Sequence, residues 1–471
     1  MFRRSHIALA VVLLLSLVLT AAAPLGAQEM GVELTAEETL GGTATGVVYE
    51  KKDSIFNGEP ITIEIWDWFT SRTVLWQAWA PLYTELYPNV TFEITRIPGA
   101  DYWTKMVAAI PAGEGPDIYA FHNEQRSVFV ENELMMPFPE DMFDPAFYLE
   151  NYYGYPEGHF QDDEGRIRYL NYGNMAPLLY VNTRMWEEAG LTEADAPQTW
   201  DELIELATRL TQYDSAGNID VAGFAFNTDI QGLWTDLTRQ QGRYIYTADA
   251  KGCQIDNPGS RRALEIIGSW YDANVNSRDF LTTYEAFTTE RAAIIYSMTW
   301  LSGNLRVNFP DFEYFTLLAP TLSGEPLPVI AQSNYDVSHV VSVNKPPERQ
   351  AVSWDFMHWL HSQDEYLVDM ALTLNIPPGY KKLGTHPRIL ADTALSQVVQ
   401  ELPYAIYPGD FPPAFWDSTQ IFQDSIIAGG ISIDDMIAQA QEICDRGMQL
   451  QDYWIVERTY QNADAMIPDQ P

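Results

Sequence analysis

The amino-acid sequence predicts an α/β protein with a largely parallel sheet, divided into two or more domains. This prediction rests on a regular alternation of strand-like and helix-like segments and on the length of the chain. Residues 60–471 make up roughly 410 residues, more than one hydrophobic core usually organises. The composition, 46% hydrophobic and 13% aromatic, is that of a folded chain.

The segments between 61 and 121 justify the α/β prediction one by one. Residues 61–66 alternate apolar and polar side chains, which is the period of a half-covered strand, and residues 90–94 alternate again. Between them, residues 74–86 carry apolar side chains at helical spacing. A second helix, capped by Asp101, should precede a third strand at 117–121. A strand–helix–strand–helix–strand order favours parallel strands joined by helices.

The N-terminus has the features of a secretory signal peptide. Two arginines precede an apolar run over residues 7–20, and small residues at 25–27 form a cleavage pattern, so residues 1–27 are expected to be removed. The run is short for a membrane span, and a retained anchor is the alternative. Residues 28–59 show no clear periodicity and are predicted to form a flexible leader. Residues 456–471 are predicted to form a C-terminal tail.

Charge and cysteine content limit the partners of the chain. A formal charge of −38 argues against nucleic acid or an anionic membrane surface as a partner. The two cysteines, Cys253 and Cys444, could pair in an oxidising compartment, but sequence spacing does not show whether they approach each other. No cysteine precedes Cys253, so a lipid-attachment cysteine near the cleavage site is missing. We expect an exported, soluble protein, periplasmic or extracellular.

The sequence offers no catalytic motif. It contains no Gly-x-Ser-x-Gly elbow, His-Glu-x-x-His helix, P-loop or Gly-x-Gly-x-x-Gly turn. A secreted acidic glycoside hydrolase is an alternative, but it needs two carboxylates at a fixed separation, and spacing singles out no such pair. His358 and His361 are predicted to lie on a helix surface beside core aromatics rather than to bind a metal. We therefore expect no enzyme activity, no metal and no cofactor.

The segment from Leu178 to Leu203 carries a family resemblance. It reads as a buried strand, a short helix ending at Gly190, an acidic loop, and a helix with a capping box formed by Thr199 and Glu202. This order resembles the extracellular solute-binding proteins, family 1, of ABC importers, which are maltose-binding-like. Further segments that are similar to the family, in the same order, are 61–66, 87–90, 113–118, 291–300, 362–365 and 411–440.

The resemblance implies a two-lobed periplasmic-binding-protein fold of type II, with a hinge that the chain crosses more than once. Lobe 1 is expected to comprise 60–171 and about 315–346, and lobe 2 to comprise 175–310 and about 351–455. It also implies a monomer that captures a carbohydrate between its lobes and delivers it to the membrane permease of an ABC transporter. A non-sugar ligand, such as a glycerophosphodiester or a polyamine, is an alternative within the same class.

Sugars require flat aromatic faces for stacking and Asp, Glu, Asn or Gln side chains for paired hydrogen bonds. Aromatic side chains that follow strands are candidates, since loops at strand ends reach the cleft. Trp66 and Trp68 should share one face of the first strand, with Asp67 on the other. The resemblance supplies the remaining positions. The expected ligand-binding residues are Trp66, Trp68, Glu124, Asn174, Trp234, Trp300, Tyr335, Asp336 and Trp416.

Each of these positions has a structural alternative. A tryptophan can serve lobe packing, and Asn174 or Asp336 can cap a turn. Phe69 and Thr70 follow Trp68 where the maltose pattern has charged contacts, so the sugar's identity stays open. The tryptophans at helical spacing are predicted to be core residues; they are Trp76, Trp79, Trp186, Trp200, Trp354 and Trp359.

Overall fold

The computed structural model describes residues 34–122, 125–130, 132–153, 160–162, 164–247, 251–324, 331–332, 334–408, 413–450 and 458–459. The strands are β1 (Ile61–Asp67), β2 (Val90–Arg96), β3 (Ile118–Tyr119), β4 (Asn171–Met175), β5 (Pro177–Asn182), β6 (Gln212–Tyr213), β7 (Ile219–Ala225), β8 (Ala292–Met298), β9 (Tyr314–Leu318), β10 (Ala331–Gln332), β11 (Asn334–Val337), β12 (Val340–Val341), β13 (Ala405–Tyr407) and β14 (Arg458–Thr459).

The helices are α1 (Thr70–Leu86), α2 (Gly99–Ala109), α3 (Arg126–Phe129), α4 (Pro145–Asn151), α5 (Thr183–Glu188), α6 (Trp200–Leu210), α7 (Ile230–Gln240), α8 (Pro258–Asp272), α9 (Thr283–Thr288), α10 (Trp300–Asn308), α11 (Pro347–Ser362), α12 (Asp364–Leu374), α13 (Pro387–Ala391), α14 (Thr393–Glu401), α15 (Pro413–Ala428) and α16 (Ile433–Met448). The predicted capping box is present at α6, where Thr199 and Glu202 satisfy each other's backbone N–H groups.

Lobe 1 is built on the sheet β12-β3-β1-β2. Strands β1, β2 and β3 are parallel, with Ile61 opposite Val90 and Ile65 opposite Ile118. Their inward side chains, including Ile63 and Ile65, are fully buried. The strand–helix–strand order predicted for this segment is therefore confirmed.

Lobe 2 has a mixed sheet, β6-β7-β8-β5-β9. Only β7 and β8 are parallel there, whereas β5 runs antiparallel to β8 and β9. The expectation of a largely parallel sheet thus fits lobe 1 better than lobe 2. The hydrophobic runs in β5 and β8 are buried on both faces, so they show no alternation from which strand direction could be inferred.

Three extended segments connect the two lobes. Strand β4 pairs antiparallel with β11, and the segment 376–380 runs beside β4, where the Asn174 N–H donates to the Pro377 carbonyl at 2.9 Å. Two glycines make this close approach possible. A Cβ at Gly173 would lie 2.4 Å from the Pro377 oxygen, and one at Gly379 would lie 2.2 Å from the Asn171 oxygen. These segments form the hinge.

The lobe boundaries differ from the predicted ones. Strand β9 belongs to the lobe 2 sheet, so the chain leaves lobe 2 later than residue 315. Helices α11 and α12 pack in the lobe 1 core rather than in lobe 2, with the Trp359 ring 5.8 Å from that of Trp79. Assigning 351–374 to lobe 2 was wrong because α11 packs on the parallel sheet and α12 packs on α1, and local pattern does not encode such long-range contacts.

Residues 34–59 form a packed strap rather than a flexible leader. A 3₁₀ helix at Ala36–Leu40 lies on lobe 1, where the Thr39 carbonyl accepts hydrogen bonds from Trp359 at 3.2 Å and Gln363 at 3.1 Å. Tyr49 shares a 2.7 Å hydrogen bond with His358. The predicted signal peptide, residues 28–33 and residues 460–471 lie outside the described residues. Within the predicted tail, β14 pairs with β13.

A disulfide joins Cys253 to Cys444 on α16, with their Cα atoms 6.1 Å apart. The prediction of core tryptophans is confirmed, since each of the following is at most 4% exposed: Trp76, Trp79, Trp186, Trp200, Trp354 and Trp359. In the part of the chain that the structure describes, no helix has the length and apolar character needed to cross a membrane.

Candidate functional site between the two lobes

The strand ends of both lobes face the hinge. Strand β12 follows the hinge strand β11 closely and pairs antiparallel with β3, so the carboxyl ends of β1 and β3 lie on the hinge side of lobe 1. In lobe 2, the end of β8 at Met298 lies opposite Pro177, just past the hinge strand β4. The ends of β1, β3, β7 and β8 therefore face the hinge, and we call the region between them the interlobe site.

Trp66 and Trp68 lie on the same side of β1, against α2, as the sequence predicts. The Lys105 ammonium lies 4.0 Å from the Trp66 ring centroid. The Trp68 ring packs on Tyr102 and Trp103, each with a centroid separation of 4.9 Å. Both tryptophans are half-buried. Trp68 is thus held by an aromatic cluster and keeps part of its surface open.

Asp67 points the opposite way and fixes the end of β1. Its carboxylate is fully buried and lies 3.0 Å from the Arg72 Nε and 2.8 Å from the His339 Nε2. Burial alone would raise the pKa of Asp67, but the Arg72 charge and the His339 hydrogen bond bring that pKa down to about 2. This network ties the β1–α1 turn to residue 339, which follows the hinge, and so positions Trp68 and Phe69.

Trp300 begins α10 in lobe 2 and is half-buried. Its ring meets the ring of Phe69 edge to face at a centroid distance of 6.4 Å. Helix α10 also approaches lobe 1 closely, since a Cβ at Gly303 would lie 2.6 Å from the Thr373 oxygen. Trp300 therefore lies where the two lobes touch, as expected of a residue in the interlobe site.

Asp229 and Gln231 follow β7 at the same sheet edge, and sequence reasoning missed both. Burial raises the pKa of Asp229 to about 6, while hydrogen bonds from Thr283 and Thr228 oppose the rise. The Gln231 amide donates to the Thr419 hydroxyl on α15 at 2.6 Å. The signal that could have found them is their position after a strand, the same signal used for Trp68.

Trp416 lies on α15, less than one turn before Thr419, and is 41% exposed. The hydrogen bond between Thr419 and Gln231 connects this part of α15 to the end of β7. A large, partly exposed ring therefore lies near the loop that follows β7, and the ligand-binding role of Trp416 stays a prediction.

Asn174 lies in the hinge strand β4 and is fully buried. Its Oδ1 accepts a hydrogen bond from the Asn171 amide at 3.0 Å. Among the described residues, neither the Asn174 Nδ2 nor the Asn171 Oδ1 has a hydrogen-bond partner. Asn174 is thus a strand residue with an unused amide donor, not a turn cap.

Four expected positions need separate treatment. The prediction for Trp234 is wrong, because this side chain is fully buried in the lobe 2 core. Its ring packs on Phe422 at a centroid distance of 4.7 Å, and its indole N–H donates to the Ser260 hydroxyl at 2.9 Å. No face of the ring is open to a sugar. Glu124 lies outside the described residues. The backbones of Tyr335 and Asp336 pair with Asn174 and Gly173 in the hinge, but their side chains are not described.

The histidine pair is buried rather than on a helix surface, which corrects that expectation. His358 is 7% exposed and His361 is fully buried, because α11 is covered on one side by the strap and on the other by the lobe 1 core. Within the described ranges, no group of three or more His, Cys, Asp or Glu side chains is arranged to hold a metal ion.

The chain matches the model of a family of bacterial extracellular solute-binding proteins over residues 78–397. It is 21% identical over 387 residues to a maltotriose-binding protein of Pyrococcus abyssi, covering 80% of both chains. A maltose/maltodextrin-binding domain of Bdellovibrio bacteriovorus, solved with maltotriose, has a similar structure, with a TM-score of 0.68 at 17% identity over 83% of this chain and 100% of that one.

A second solved structure of the same fold is the maltose-maltodextrin binding protein of Alicyclobacillus acidocaldarius. Its TM-score is 0.64 at 17% identity, over 83% of this chain and 100% of that chain. The structural likenesses establish a shared two-lobed α/β fold.

Proposed function

Because this chain belongs to the bacterial extracellular solute-binding proteins, we propose that it captures a carbohydrate in the interlobe site and delivers it to the permease of an ABC transporter. The protein would act as a monomer outside the cytoplasm, soluble after removal of its signal peptide. The sugar-binding relatives make a carbohydrate the first ligand class to test.

The observation that carries the proposal is the meeting of aromatic rings from two lobes at the hinge. Phe69 of lobe 1 and Trp300 of lobe 2 are 6.4 Å apart, and Trp68 and Trp416 present further partly open rings. The apolar C–H faces of a sugar stack on such rings. A ligand placed among them would contact both lobes at once.

Polar side chains at the lobe 2 sheet edge and in the hinge supply candidate hydrogen-bond partners for sugar hydroxyls. Asp229 is a carboxylate acceptor, Gln231 offers an amide oxygen, and Asn174 has an unused amide donor among the described residues. Mixed donors and acceptors suit a hydroxyl, which both gives and accepts. Trp66, Glu124, Tyr335 and Asp336 stay proposed members of the site.

We expect the two lobes to close around the ligand by bending at the hinge that connects them. A ligand favours the closed arrangement when it contacts both lobes only in that arrangement. The hinge consists of short hydrogen-bonded segments, so the lobes would move as rigid bodies about β4, β11 and residues 376–380. The permease would then recognise the closed pair of lobes.

The test is a titration with maltotriose, followed by a panel of mono- and oligosaccharides, using tryptophan fluorescence and calorimetry. We expect saturable binding, and Trp300→Ala should weaken it about five- to tenfold, because an aromatic contact contributes roughly 1–1.5 kcal/mol. Tyr213→Ala removes an aromatic ring that is 53% exposed on β6, away from the hinge, and is the matched control.

Two results would overturn the proposal. One is the absence of binding by every sugar in the panel to a protein that circular dichroism shows to be folded. The other is hydrolysis of the oligosaccharides at an enzymatic rate on prolonged incubation, which would point to the glycoside hydrolase alternative.

A further inference from the structure

A second cavity lies in lobe 2, apart from the interlobe site. Its volume is about 400 Å³, and it is enclosed by the loop before α6, the end of β9 and the last turns of α14. Side chains that line it include Pro197, Leu317, Gln400, Glu401 and Tyr404. None of the residues assigned above to the interlobe site lines this cavity.

Glu401 is the notable residue of this cavity, because it is a carboxyl group only 3% exposed. Its Oε1 accepts one hydrogen bond, from the Ala319 N–H at 3.2 Å. Its Oε2 has no hydrogen-bond partner among the described residues. A buried carboxyl oxygen without a partner is costly, roughly 1–3 kcal/mol or more, so its presence beside a cavity calls for a ligand.

Among the described residues, no positively charged group acts on the pKa of Glu401. Burial raises the pKa of Glu401 to about 8, the Ala319 hydrogen bond opposes the rise, and the Asp236 carboxylate on α7 adds to it. The other titratable groups that face Glu401 are Tyr296 on β8, which is bonded to Asp236, and Tyr404. No lysine, arginine or histidine occurs among the described residues that line the cavity.

The rest of the lining suits a short hydrocarbon. Leu317, Leu318 and Pro197 supply the apolar part of the lining, and Leu318 is 42% exposed at the open side. The Tyr404 ring is 39% exposed there, where it can face a cation. Gln397 is not available, because its amide is already bonded to Thr316 in both directions.

We propose that this cavity binds a small primary amine in its ammonium form, with the nitrogen on the Glu401 carboxylate and the carbon chain against the apolar part of the lining. The ammonium group of the ligand would supply the positive charge that the described lining lacks. On binding, the carboxyl proton leaves Glu401 for solvent and the resulting carboxylate pairs with the ammonium. The net charge of −38 also favours the approach of cations over anions.

Butylammonium is the probe, and neutral 1-butanol of the same chain length is its control ligand. Calorimetry at pH 7 in two buffers of different ionisation enthalpy should show butylammonium binding with release of about one proton, because Glu401 is mostly protonated at that pH. Butanol should bind at least tenfold more weakly and release no proton.

Glu401→Gln keeps the shape of the side chain and should lower the affinity for butylammonium at least tenfold. Gln400→Trp, at an exposed position on the cavity's edge, should prevent butylammonium binding by filling the cavity. Asp201→Asn removes one exposed carboxylate from nearby α6 and should leave the affinity for butylammonium unchanged. Maltotriose binding, measured in the same variants, should be unaffected, which separates this proposal from that for the interlobe site.

The proposal would be overturned by equal affinity of butylammonium for the folded wild type and for Glu401→Gln. Binding of butylammonium without proton release would also overturn it. So would tighter binding of butanol than of butylammonium, which would identify the cavity as a site for neutral molecules.

Discussion

Phe69 and Trp300 come from different lobes, and their rings meet edge to face at a centroid distance of 6.4 Å. Phe69 is the N-cap residue of α1 and Trp300 is the first residue of α10, so each ring projects from a helix start at a sheet edge. The contact therefore connects the position of one lobe to that of the other.

This contact predicts energetic coupling between the two positions. Phe69→Ala and Trp300→Ala, made singly and together, should show a coupling free energy of about 0.5–1.5 kcal/mol in urea unfolding. Phe69→Ala and Tyr213→Ala should have additive effects, because Tyr213 lies on β6 at the edge of the lobe 2 sheet, whereas Phe69 belongs to lobe 1. Additivity for both pairs would mean that the lobes do not meet through these rings.

Much of the fold was predictable where the pattern is local. Strand β1 alternates buried and less buried side chains, and the Thr199–Glu202 capping box marks the start of α6 in sequence and in structure alike. Helix α11 shows the limit. Apolar and aromatic residues surround it almost evenly, so its pattern does not tell which lobe it covers, and it was assigned to the wrong one.

The candidate site was predictable only in part, for a related reason. Trp300 and Trp234 both follow strands after short loops, yet one reaches the lobe interface and the other turns into the core. Which way a ring points depends on the neighbouring helix, here α15 with Phe422, and no local spacing records that contact. A single aspartate at a helix start is normally a cap, so its place in the sequence alone does not single out Asp229 as a ligand contact.

The hinge predicts a strong effect of two small substitutions. Gly173→Ala and Gly379→Ala would each place a Cβ within 2.4 Å of a backbone oxygen, so each should destabilise the protein by roughly 1–3 kcal/mol or more. Gly268→Ala in the middle of α8 meets nothing within 4 Å and should instead stabilise it by about 0.5–1 kcal/mol. Urea unfolding measures all three, and wild-type stability of Gly173→Ala would contradict the hinge assignment.

Asp229 predicts a pH dependence of sugar binding. Its pKa of about 6 means that it loses its charge as the pH falls from 7 to 5. If the carboxylate accepts sugar hydroxyls, the affinity for maltotriose should fall up to about tenfold per pH unit below 6. Asp229→Asn should bind more weakly and without this dependence, whereas Asp424→Asn, an exposed change on α15, should titrate like the wild type.

The disulfide predicts redox-dependent stability of lobe 2. Cys253 and Cys444 are 191 residues apart in sequence, so their bond closes a long loop in the unfolded chain. Loop-closure entropy suggests a contribution of up to about 5 kcal/mol. The double variant Cys253→Ser/Cys444→Ser should unfold at lower urea concentration than the oxidised wild type and should not respond to dithiothreitol. A wild type that is equally stable with and without reductant would contradict this expectation.

His361 predicts a loss of stability in mild acid. The ring is fully buried between Tyr172, with centroids 5.3 Å apart, and Phe143 at 6.2 Å, and neither ring nitrogen has a partner among the described residues. Burial, with repulsion from His358 and His339, lowers its pKa from 6.5 to about 3. Between these two values the unfolded chain binds a proton that the folded chain does not.

His361 should therefore lower the free energy of unfolding by up to about 1.4 kcal/mol per pH unit as the pH decreases from 6.5 towards 3. His361→Phe keeps an aromatic ring against Tyr172 and removes both buried nitrogens. The slope of the unfolding free energy against pH should therefore decrease by the amount that corresponds to about one bound proton. His386→Asn removes a partly exposed histidine while keeping a capping side chain at α13, and should leave the slope unchanged. Urea unfolding at half-unit pH steps measures both, and equal slopes for His361→Phe and the wild type would show that another group binds the proton.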